Sequence, residues 1–130
     1  SFDTKFKKDR LWYSVEFDEE GTLEDVEILI KQTDVPNDAW AQLNTYLGKR
    51  FKKFKIKRIQ QQYPLQKGKS VEETVKNAFQ NLLLPSLRYE LIVGVKNEDG
   101  YGQYEVLFDA NGLFLNIRKS LPPNYDHVLY

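Results

Sequence analysis

Residues 13–28 read "YSVEFDEEGTLEDVEI" and residues 104–119 read "YEVLFDANGLFLNIRK". The two stretches align without gaps, and Tyr13/Tyr104, Val15/Val106, Phe17/Phe108, Asp18/Asp109 and Gly21/Gly112 are identical. In the first stretch Tyr13, Val15 and Phe17 alternate with Ser14, Glu16 and Asp18, the period of a half-buried strand. Gly21 can take the positive φ that a tight turn needs. Val26, Ile28 and Ile30 then share one face, with Asp25 and Glu27 on the other. The echo therefore predicts two related hairpins, each closing a three-stranded unit.

Working outward, residues 2–7 and 11–18 read as strands joined by "KKDR", and 22–30 as the third strand. Residues 33–51 predict a helix with Pro36 in its first turn. Trp40, Leu43, Leu47 and Phe51, with Ala39 and Tyr46, form its apolar face. Strand 52–63 turns Phe54 and Ile56 inward. Ile59 falls out of phase with them, which predicts a bulge near Lys57–Arg58 or a change of face. A second helix starts at Ser70, whose spacing to Glu73 is that of a capping box. Its expected buried stripe is Val71, Val75, Ala78, Phe79, Leu82 and Leu83, and Pro85 stops it. Strands 87–96, 102–109 and 113–120 follow, then the proline-containing tail 121–130.

The expected fold is α+β. It is an antiparallel sheet with two helices on one face, in the order βββ-α-β-α-βββ. Residues 1–130 form one domain of two related halves, about 1–63 and 70–119, plus the extended tail.

Composition narrows the function classes. The formal net charge is zero, so global charge attracts neither nucleic acid nor membrane. There is no Cys, which removes disulfides, thiol catalysis and cysteine-held metals. No apolar run approaches the roughly 20 residues that span a bilayer. The chain contains no Met, and the expectation is that a leader preceding Ser1 has been removed.

Catalytic, metal and cofactor sites are not read from the sequence. His127, the single histidine, lies in the tail without assignable partners. The five serines lack a triad, carboxylate pairs carry no motif, and "NEDGYG" (97–102) is a hairpin turn rather than a calcium loop. Residues 49–58, "KRFKKFKIKR", hold seven Lys or Arg among Phe51, Phe54 and Ile56. Such a strand can bind single-stranded nucleic acid through Lys53, Lys55 and Lys57. The favoured reading is that these lysines meet Glu16, Asp25 and Glu27 across neighbouring strands, so nucleic acid is not the expected partner.

The two hairpins differ on their outward face. Glu16 corresponds to Leu107 and Leu23 to Phe114. If the helices cover one face, Ile92, Leu107 and Phe114 form an apolar patch on the other, a candidate partner-binding surface unless the tail covers it.

Residues 12–63 resemble the PepSY-like, β-lactamase-inhibitor-like (BLIP-like) family of Bacteroidetes. The likeness rests on a Y-x-V-x-F-D-x-x-G hairpin (Tyr13, Val15, Phe17, Asp18, Gly21), a proline-started helix (Pro36), and a basic strand (Lys55, Ile56, Arg58, Ile59, Gln60). Helix 70–84 and hairpin 101–119 match more loosely. The resemblance implies helices against a curved antiparallel sheet, and export to the periplasm or cell surface. Function in that family is largely unassigned; its relatives by name, the peptidase propeptide domains and the β-lactamase inhibitor, bind and restrain enzymes, and the resemblance supplies no functional residue. The expectation is an exported, non-catalytic domain that binds an unidentified protein or peptide of the cell envelope through its open sheet face. The alternatives are nucleic-acid binding through 49–58, and a small-molecule or glycan site using Trp12, Trp40 or the tyrosines.

Overall fold

Asp18 and Asp109 decide how the two echoing stretches fold. The Asp18 carboxylate accepts the backbone N–H groups of Glu20 and Thr22, each at 2.9 Å. Asp109 accepts those of Asn111 and Leu113, each at 2.9 Å. Gly21 and Gly112 both sit at φ +84°, where a side chain would be strained. The two turns thus repeat bond for bond, and a register slip follows at Phe17 in one hairpin and at Phe108 in the other.

The computed structural model describes residues 2–120. It comprises β1 (Phe2–Lys8), β2 (Leu11–Phe17), β3 (Leu23–Ile30), a 3₁₀ turn (Gln32–Asp34), α1 (Asn37–Arg50), β4 (Phe54–Pro64), α2 (Val71–Phe79), β5 (Arg88–Asn97), β6 (Gly100–Asp109) and β7 (Phe114–Ser120). The fold is α+β, with one seven-stranded antiparallel sheet in the spatial order β1 to β7 and two helices.

Period-two alternation carries one face of the sheet through a continuous rung: Tyr13, Ile28, Gln61, Tyr89 and Phe108 stand opposite one another in turn. Phe79 of α2 meets Tyr13 edge-on at 5.4 Å, and Tyr46 of α1 meets Phe108 edge-on at 5.8 Å. Tyr13 and Phe108 share a face, so both helices lie on it. Leu43 and Leu47 of α1 and Ala78 of α2 are fully buried in the common core, against which Phe17 also packs. Gly112 lets its turn approach α1, because a Cβ there would collide with the Ala39 carbonyl.

β4 has its bulge at Lys57, between Ile56 and Arg58. The extra residue restores phase, so Ile56 faces Val93 and Ile59 faces Leu91 on the helix side. Pro36 caps α1 rather than entering its first turn; its carbonyl accepts the Trp40 N–H. α2 is shorter than the apolar spacing predicts. Asn81 adopts a left-handed conformation (φ +52°), and the Leu82 N–H bonds back to the Asn77 carbonyl. Leu82 and Leu83 are consequently exposed rather than part of a buried stripe, and Val71 is exposed as well. The Tyr63 hydroxyl fixes this exit by donating to the Leu82 carbonyl at 2.9 Å.

Candidate functional site

The face turned away from the helices is read from the same registers. One rung runs Ser14, Glu27, Gln62, Arg88, Asp109; the next runs Trp12, Leu29, Gln60, Glu90, Leu107, Asn116. Glu16 and Asp25 pair at one end, and Arg58, Ile92, Glu105 and Arg118 form a further rung at the other. This face is polar, yet several of its side chains bury one another. Glu27 is only 6% exposed, and Ser14, Gln60 and Gln62 are also buried.

The long polar residues of the β2–β3 hairpin and β4 create an electrostatic problem there. Carboxylate oxygens of Glu16, Asp25 and Glu27 all lie within 4.8 Å of one another. Such hard oxygen donors are the groups that would meet a divalent cation or an ammonium. Gln62 donates one amide hydrogen bond to Glu27 at 3.2 Å. Asp25 Oδ1 is shielded from solvent and receives no hydrogen bond among the described residues. Burial first, and then the charges of Glu16 and Glu90, push Asp25 up to about 7. Burial, then Glu90 and Asp25, push Glu27 up to about 9. Glu90 is raised too, chiefly by burial and then by Glu105, with Arg118 and Arg58 working against the rise.

The expected cross-strand compensation by Lys53, Lys55 and Lys57 does not form. β3 meets β4 only from Ile59 to Pro64, so Glu27 faces Gln62 and Asp25 faces Pro64. The basic end of β4 runs past Ile30 and meets β5 instead. Lys55 stands opposite Gly94, and the Lys57 ammonium lies 5.8 Å above the Tyr101 ring. Lys53 precedes the strand. All three lysines are exposed, at the opposite end of β4 from the carboxylates.

Ile92 and Leu107 do lie on the open face, half-buried among Glu90, Glu105 and Arg58. Phe114 does not join them. The slip between Leu107 and Phe108 turns it to the helix side, where it stacks on Tyr46 at 4.4 Å and remains 39% exposed. Its counterpart Leu23 takes the matching position beside Phe17 and is buried. Trp40 packs against the core from α1. His127 and the rest of the tail lie outside the described residues.

Trp12 is the feature that the apolar-patch reasoning passes over. It is 52% exposed on the open face, directly opposite Leu29. A hollow of about 210 Å³ adjoins it, walled by Leu29, Ser14, Gln60, Arg58 and Lys5. The signal is in the alternation: if Tyr13 points to the core, Trp12 must point away from it.

No described helix is long and apolar enough to cross a membrane. Comparison with protein-family models, curated proteins and solved structures returns no match.

Proposed function

We propose that this chain is an exported, non-catalytic domain that binds a protein partner through the open face of its sheet. The observation that carries the reading is Trp12: a large indole, half exposed on a helix-free face, beside an apolar neighbour and a hollow that admits one side chain. Tryptophan in such a setting is the residue type most enriched among dominant interface contacts. Ile92 and Leu107 extend the surface, and the carboxyl cluster of Glu16, Asp25 and Glu27, where burial raises Asp25 and Glu27, would be stabilised in its charged form by a partner that presents Lys or Arg there. The resemblance to the PepSY-like, BLIP-like family agrees with partner binding, and export rests on that resemblance.

The test is affinity capture from the cell-envelope fraction of the source cells, using wild type, Trp12→Ala and Leu107→Asp as baits. A protein retained by wild type and lost with both variants supports the reading, provided circular dichroism shows the variants folded. Equal recovery by all three baits, or recovery of a partner only from the cytosol, defeats it.

A further inference from the structure

β1 is an edge strand, and among the described residues only β2 pairs with it. Its turn decides which main-chain groups are left over. Asp9 and Arg10 sit at φ +51° and +71°, the type I′ conformation that closes a tight hairpin on a hydrogen-bonded pair, here Lys8 and Leu11. Hydrogen-bonded pairs alternate along an antiparallel ladder, so Phe6–Tyr13, Thr4–Val15 and Phe2–Phe17 exchange their bonds as well. Asp3, Lys5 and Lys7 therefore turn their N–H and C=O groups outward, where a further strand can take them.

The side chains specify which strand. On the helix side Phe6 stacks on Tyr13 at 5.4 Å and Phe2 on Phe17 at 5.3 Å. Phe2 is nevertheless 55% exposed, a large ring at a free edge. On the open side Asp3 and Lys5 form an ion pair at 3.4 Å. Laid antiparallel against a second copy of itself about Thr4, β1 sets Phe2 opposite Phe6 and Asp3 opposite Lys5, and the two-fold symmetry repeats each match. The outward main-chain groups of Asp3 then meet those of the second copy's Lys5 and exchange hydrogen bonds with them. Because the ladder repeats every second residue, the neighbouring registers set either Lys5 against Lys5 or Asp3 against Asp3. Lysines commonly guard an edge against such pairing. Here Lys7 and Lys8 fall outside the span Phe2–Phe6, and Lys5 meets a carboxylate.

We propose that the chain forms a two-fold symmetric dimer by antiparallel pairing of β1 with the β1 of a second copy, which joins the two sheets edge to edge. The contact runs along the sheet edge and leaves Trp12 on the open face uncovered, so it is independent of the partner proposed for that face. Sedimentation of the wild-type chain from about 5 to about 500 µM should show a reversible monomer–dimer equilibrium with a Kd on the order of 10–100 µM. Asp3→Lys sets like charges opposite each other and should weaken the dimer about tenfold, and adding Lys5→Asp should recover it. The chain has no cysteine, so Thr4→Cys reports the register directly. Its two Cα atoms would lie about 4.5 Å apart across a non-hydrogen-bonded pair, within reach of a disulfide. Mild oxidation should link Thr4→Cys between copies and leave Thr45→Cys, at an exposed position on α1, unlinked. A wild type that stays monomeric throughout that range, or a dimer that Asp3→Lys does not weaken, would overturn the proposal. So would a double variant that does not recover the dimer, or cross-linking no faster for Thr4→Cys than for Thr45→Cys.

Discussion

Replacing Glu27 by Gln should make the protein more stable at neutral pH and remove much of the pH dependence of its stability. An unfolded Glu titrates near 4.5, whereas the folded chain holds Glu27 up at about 9. Between these values the native state binds a proton that the unfolded state has released. Stability therefore falls as pH rises through that window, by about 1.4 kcal/mol per pH unit for one proton. From pH 5 to pH 7 Glu27 alone accounts for about 3 kcal/mol, a large part of a typical domain's 5–15 kcal/mol. Asp25, raised from 3.8 to about 7, acts with the same sign over the lower part of the window.

The substituted amide keeps an oxygen to accept from Gln62 and carries no charge. Urea denaturation at pH 5, 6, 7 and 8 is the assay. Wild type should lose stability steadily with rising pH. Glu27→Gln should match it near pH 5, exceed it by about 3 kcal/mol at pH 7, and retain only the shallower slope from Asp25. Parallel pH profiles for the two proteins, or a wild type that gains stability between pH 5 and pH 7, would show that the cluster is not held protonated by burial.

Other substitutions test the fold at the places where it positions this face. Gly112→Ala should cost at least about 2 kcal/mol, combining a left-handed backbone with a collision at Ala39, while Gly21→Ala, at the same φ but in open space, should cost only about 1 kcal/mol. Equal losses in urea melts would show that the Gly112–Ala39 approach does not matter. Phe108→Ala should cost about 3–5 kcal/mol as a fully buried ring, against about 1 kcal/mol for the half-exposed Phe114→Ala; a larger loss at Phe114 would place that ring wrongly. Fluorescence anisotropy with a labelled oligothymidine at low salt should show no binding through Lys53, Lys55 and Lys57, and steeply salt-sensitive binding would reverse that expectation.

What can be read from the chain is what is local. The Asp-to-Gly turns, the period-two faces around Tyr13 and Val15, and the phase break at Ile59 each sit within a few residues of their cause. What cannot be read is set by registers between distant strands. Whether Glu27 meets Lys57 or Gln62 depends on where β4 slides against β3, and "KKFKIKRIQQQY" offers a basic half and an amide half with equal local merit. Ile30 pairing with Ile59 settles it, and that contact joins two apolar residues rather than opposite charges. Phe114 escapes the sequence reading for a related reason: the one-residue slip between Leu107 and Phe108 turns Phe114 to the other face. The early end of α2 comes from Asn81 taking a left-handed conformation, a choice that apolar spacing does not encode.

The two hairpins also show where the chain concentrates its differences. On the helix side Tyr13, Val15, Phe17 and Val26 correspond to Tyr104, Val106, Phe108 and Ile117, although the buried Ile28 gives way to the exposed Lys119. On the open side the correspondence breaks at each position. Ser14 becomes Glu105, Glu16 becomes Leu107, Asp25 becomes Asn116 and Glu27 becomes Arg118. In the second hairpin those replacements are self-sufficient, because Arg118 and Glu105 form an ion pair and hydrogen bond across β6 and β7. In the first, three carboxylates share a crowded and partly desolvated patch next to an exposed tryptophan, and no ion pair among the described residues neutralises them. Fold stability alone would favour the compensated arrangement, which the same scaffold accommodates at the equivalent positions. Its absence beside Trp12 is a feature that the proposed partner-binding role of the open face would account for and that packing within the fold does not.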